Sequence, residues 1–126
     1  LSKVRSDKRT AQKLLKHLRD RGKAISPLLI VTHDHPDPDA LASAWALSHL
    51  VQKVCKARTR IAYGGVVGRR ENRIMLASLE IPAFPLRKSD HDYASTALVD
   101  TQPPFKNNRF HPRRRPDLII DHHPLH

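Results

Sequence analysis

The sequence predicts an α/β domain: a mainly parallel open sheet with helices on both faces. Continuous apolar runs at residues 28–32, 96–100 and 117–121 suit strands buried on both sides. These runs alternate with stretches whose apolar residues recur at helical spacing. Each run also ends in a polar cluster holding Asp or His. Open α/β sheets bind ligands beyond the carboxyl ends of their strands, so these clusters are expected to converge at one edge.

The elements follow in chain order. Residues 7–22 read as an amphipathic helix, with Ala11, Leu14, Leu15 and Leu18 on one side and Lys and Arg over the rest. Ser6 or Asp7 can cap its start and Gly22 can stop it. It either packs on the domain or links to a region upstream. Residues 28–32, after Pro27, form the first strand, and residues 33–39 a polar loop in which Pro36 and Pro38 prevent helix. Residues 40–56 are helical, through Leu41, Trp45, Leu47, Leu50, Val51 and Val54. The small residues Ala40, Ala42, Ser43, Ala44 and Ala46 would let this helix lie close to a sheet. Cys55 falls near its end and reads as a buried residue rather than a nucleophile.

Residues 60–63 suit a second strand, ending at Gly64-Gly65. Residues 71–79 suit a helix with Ile74, Met75 and Leu79 inward. A short strand within 81–86 is weakened by Pro82 and Pro85. Strands at 96–100 and 117–121 flank a proline-rich basic loop, and His122-His123 follow at once. The organisation expected is a basic helix at 1–24 and a domain at 25–126.

The length allows one domain at most. No run of 18 apolar residues is present, so no membrane contact is expected within this segment. The first residue is Leu1, which places the expected natural start upstream. A single cysteine excludes an internal disulfide framework and fits a reducing, cytoplasmic setting. The net charge of +11 favours a polyanionic partner, although a solvated basic surface has the same composition. With one Trp, two Tyr and three Phe, stacking platforms for a long single strand are scarce.

Of 12 acidic residues, Asp34, Asp37, Asp39, Asp100 and Asp121 lie at the ends of apolar segments. A basic protein that gathers acids there is expected to use them on a cation. Asp37 and Asp39 can point to different metals, and Asp100 can bridge two. His33 ends the first strand, and Asp121 precedes His122 and His123. Mixed carboxylate and imidazole ligands suit Mn²⁺, Fe²⁺ or Zn²⁺, with manganese favoured by the carboxylate excess.

Three motifs carry a family resemblance. His33-Asp34-His35-Pro36-Asp37-Pro38-Asp39, followed by small residues, resembles the first motif of the DHH phosphoesterase superfamily. Leu98-Val99-Asp100 resembles its second motif, and Asp121-His122-His123 its third. The stretch from Gly64-Gly65 through Arg69, Glu71, Asn72 and Arg73 is similar to members that cleave nucleotides or short oligonucleotides. The resemblance implies two divalent metal ions, with His33, Asp37 and Asp100 on one and Asp39, Asp100 and His122 on the other. It implies that His123 faces the substrate phosphate and that Asp121 orients the histidine pair as part of the catalytic set. Arg69, Asn72 and Arg73 are the expected phosphate contacts.

By this resemblance the protein is a phosphodiesterase that hydrolyses a short oligonucleotide or cyclic dinucleotide with a two-metal-activated water. A homodimer is among the expected assemblies. The family's fourth motif and its C-terminal substrate domain are missing, so the segment is expected to bind metal incompletely and to be weak or inactive by itself. Two other functions compete: a manganese-dependent pyrophosphatase, and a non-catalytic nucleic-acid or nucleotide-binding module.

Overall fold

The computed structural model describes residues 2–68, 70–101 and 115–121, with side chains from residue 8 onward. Its five strands are β1 (Leu28–Thr32), β2 (Thr59–Tyr63), β3 (Ala83–Pro85), β4 (Ser95–Val99) and β5 (Leu118–Ile120). All are parallel, in the order β3-β2-β1-β4-β5. The helices are α1 (Ser2–Arg21), α2 (Pro38–Cys55) and α3 (Arg70–Ser78), with short 3-10 turns at Gly22–Ile25 and Lys88–Asp92. The predicted α/β class with its open parallel sheet is the observed one.

The central strands β1 and β4 are buried along their whole length. Alternate residues serve opposite faces. Leu28 and Ile30 join the larger core with Ile61, Ala97 and Val99, under α1 and α2. Leu29, Val31, Ala62 and Leu98 form the smaller core on the other face, where Leu86 and Tyr93 pack from either side of the Lys88–Asp92 turn. Burial of one such side chain stabilises by about 1.5–3 kcal/mol, so β1 holds the two layers together.

α2 lies on the sheet through Ala40, Leu41, Ala44, Leu47, Ser48, Val51 and Cys55. Ala40 and Ala44 are fully buried, as close helix–sheet packing requires, whereas Ala42, Ser43 and Ala46 face out. Asp37 caps the helix, its side chain accepting from the Ala40 amide at 2.9 Å, and Pro38 fills the first helical position. The Cys55 thiol donates to the Leu18 carbonyl at 3.2 Å, tying α2 to α1.

α1 docks on the domain: Leu18 is in the core and Leu14 packs against it. At its end Arg21 reaches Asp117 Oδ1 at 2.7 Å and Ser95 Oγ at 3.0 Å, while Asp117 Oδ2 accepts from the Thr96 amide. One guanidinium thus spans the starts of β4 and β5.

Pro38, expected to keep the loop non-helical, is instead the first residue of α2, a position where its missing N–H costs nothing, and two further expectations need correction. On α3, Met75 and Leu76 pack on the core and Asn72 is buried, but Ile74 is 51% exposed and Leu79 49%. The buried stripe is centred on 72, 75 and 76, which turns Ile74 outward, and Leu79 falls past the helix end. The helix at the amino terminus runs from Ser2 rather than from residue 7. The weak strand at 81–86 does form, as the sheet-edge strand β3, where proline costs little.

Candidate metal centre

The strand order reverses at β1. The chain leaves β1 through α2 to β2 on one side, while β4 lies on the other. The carboxyl ends of β1 and β4 therefore open a crevice at a topological switch point. Thr32 pairs with Val99 in register, so His33 and Asp100 emerge side by side at its floor.

His33 Nε2 stands 3.4 Å from Asp100 Oδ2 and 3.8 Å from Asp37 Oδ2. The three ligand atoms all lie within 4.8 Å of one another. His33 Nδ1 is 2.8 Å from the Asp34 carbonyl. A carbonyl only accepts, so Nδ1 carries the hydrogen, and in the neutral ring Nε2 presents a lone pair. With the ring neutral, three acceptors face one point, an arrangement that could hold a cation. The donor set of one imidazole nitrogen and two carboxylates fits a divalent ion.

Local backbone positions each ligand. Asp37 divides its oxygens between the helix cap and the cluster. Asp100 is buried, has φ of +60°, and donates its amide to the Ile120 carbonyl at 2.8 Å. A left-handed conformation is tolerated by Asp better than by most residues. It turns the chain sharply as it leaves β4.

The other expected site residues divide. Asp39 is exposed in the first turn of α2 and is not among the three converging ligands. Asp121 directly follows β5, half-buried, next in register to Asp100. Asn72 is buried in α3, and Arg73 donates to the carbonyls of Val67 and Gly68 at 3.3 Å each. Arg69, His122 and His123 lie outside the described residues.

One residue given no role on sequence grounds proves central to the geometry. The His35 amide donates to the Gly64 carbonyl at 3.0 Å, and His35 Nδ1 accepts from the Val66 amide at 3.1 Å. Its ring lies directly against Gly65. His35 thus latches the ligand loop, residues 33–39, to the loop after β2. The signal for it was Gly64-Gly65, since glycine after a strand often marks close approach of another group.

No family model matches the chain, and no solved structure matches it. Uncharacterized protein MJ1633 of Methanocaldococcus jannaschii is 42% identical over 101 residues, which is 78% of this chain and 20% of that protein. The chain therefore spans about a fifth of the length of this relative. Among the described residues no helix is long and apolar enough to cross a membrane.

Proposed function

We propose that the protein is a metal-dependent phosphodiesterase of the DHH kind that hydrolyses a small nucleotide substrate. The observation that carries this reading is the convergence of His33, Asp37 and Asp100 at the strand-order reversal. The order and spacing of the three sequence motifs support it as well.

In this reading His33, Asp37 and Asp100 hold one divalent ion, with manganese favoured by the carboxylate excess. A second ion falls to Asp39, Asp100 and His122. When bound, such ions lower the pKa of a water and neutralise charge on phosphoryl oxygens. The protein's own contribution is placement. The Asp34 carbonyl holds the His33 ring with Nε2 facing the cluster. Asp37, fixed as a helix cap, keeps one oxygen there, and the amino end of α2 adds a positive potential beside an anionic substrate. By the resemblance of its third motif, Asp121 would orient the histidine pair that follows it, and His123 would meet the substrate phosphate.

The net charge of +11 also favours the second reading, a nucleic-acid-binding module without catalysis. The two readings separate in one experiment. The purified full-length protein with Mn²⁺ is expected to hydrolyse bis(p-nitrophenyl) phosphate or a dinucleotide, and Asp100→Ala to abolish that rate. Salt-sensitive nucleic-acid binding with no metal-dependent hydrolysis would favour the binding module. Orthophosphate release from pyrophosphate, without dinucleotide cleavage, would favour a pyrophosphatase.

A further inference from the structure

Beside the metal cluster lies a groove of about 710 Å³ that the ligand set does not use. Tyr63, at the end of β2, and Pro85, at the end of β3, line it together with the buried Ile81 and Ala83. Leu76 and Ala77 of α3 form one wall, and Val66 stands on the loop between. Val66 is 65% exposed. The size is that of a small-molecule pocket, and the lining is apolar with a few polar groups, as such sites usually are.

Two facts tie this groove to the cluster. The His35 latch joins the loop that carries Asp37 to Gly64, Gly65 and Val66, so one side of the groove is hydrogen-bonded to that loop. The groove also tops β2 and β3 while the cluster tops β1 and β4. Two strand spacings separate them, about 10 Å. That is the reach of one mononucleotide from its phosphate outward. Arg73 gives the groove its cation, and its Nη1 donates to the Val67 and Gly68 carbonyls at 3.3 Å each.

We propose that this groove receives the nucleobase of a nucleotide whose phosphate lies at the His33–Asp37–Asp100 cluster. This rests on the phosphodiesterase reading and adds to it the part of the substrate that is recognised. A base offers flat apolar faces to Tyr63, Leu76 and Pro85, and a polar edge to Arg73 and the loop backbone. A bare pyrophosphate or a sugar diester would leave these surfaces without a partner.

The test uses the full-length protein and two variants outside the metal cluster and the His35 latch, Ala77→Trp to fill the groove and Ala77→Glu to charge it. Ala77 is exposed on α3, so both variants are expected to fold. Hydrolysis of a dinucleotide is compared with that of its abasic analogue, which keeps both sugars and the phosphodiester. Each variant should raise KM for the dinucleotide by about tenfold, the scale of one lost base stack, and leave the abasic substrate unchanged. Equal effects on both substrates, or none, would overturn the proposal. Binding is followed separately by methyl NMR, titrating adenosine 5′-monophosphate and then ribose 5-phosphate in Mg²⁺. Shifts at Val66, Val67 and Ala77 with the first ligand alone support the base site even if no diester is cleaved. Cleavage without those shifts would refute the base site and leave the phosphodiesterase reading standing.

Discussion

The ring of His35 sits so close over Gly65 that a Cβ on the glycine would fall 2.3 Å from His35 Cε1. Gly65 also has φ of +68°, where a side chain is strained in any case. Gly65→Ala is therefore expected to destabilise the fold by about 1–2 kcal/mol from the backbone alone, read as a lowered urea midpoint. Because the ring must move, the latch on the ligand loop should loosen too. Calorimetry should show weaker Mn²⁺ binding in this variant, although no ligand has been changed.

The cluster predicts that metal stabilises the protein. At a hundredfold excess of Mn²⁺ over Kd, linkage gives about 2.7 kcal/mol, seen as a rise in Tm that EDTA reverses. His33→Ala and Asp100→Ala should lose the rise. A Tm indifferent to divalent ions in the parent protein would argue against the site.

Asp37 has two roles that substitutions can separate. Asp37→Ala removes the helix cap and a ligand, so it should cost about 1 kcal/mol in metal-free buffer and also remove the Mn²⁺ response. Asn is as good a cap as Asp, so Asp37→Asn should retain metal-free stability and lose only the metal response.

Asp90 predicts a pH dependence. It is fully buried, 3.0 Å from Arg60 Nε and 3.2 Å from Arg87 Nη2, with its Oδ2 accepting from the Arg87 amide. Burial by itself would raise the carboxyl's pKa. The hydrogen bonds from Arg87 and the Arg60 side chain outweigh burial and hold it below the usual value. A lowered folded value means the stabilisation is present above the unfolded carboxyl's pKa, about 3.9, and is lost as pH falls through the folded one. Asp90→Asn should cost about 3 kcal/mol near pH 7. In denaturant melts the gap from the parent should close as pH drops below that range. A gap that stays constant into acid would show that shape, not charge, sets the cost.

Cys55 supplies a probe of unfolding. Burial raises the thiol's pKa, against a weaker opposing pull from Arg21, and the thiol donates to the Leu18 carbonyl. A disulfide reagent should label it only at the rate of global opening, and faster labelling in native buffer would place α1 in a separate, looser unit.

The reading of residues 28–32, 40–56 and 96–100 succeeded for one reason: these segments are buried on two faces or carry a wide apolar stripe, and such patterns survive any tertiary context. α3 defeated it because a nine-residue helix has too few turns to define its buried face, and packing turned Ile74 out. The positions of His33 and Asp100 were legible for the same reason as the strands: both follow apolar runs whose ends must meet water. The sequence by itself determined the α/β class and which side chains reach the carboxyl edge of the sheet. Only the tertiary structure decided that His33, Asp37 and Asp100 meet while Asp39 stays out, that His35 closes on Gly65, and that a groove opens over β2 and β3. Strand order and loop dihedrals such as those of Asp100 and Gly65 set these distances, and they depend on contacts between segments far apart in the chain.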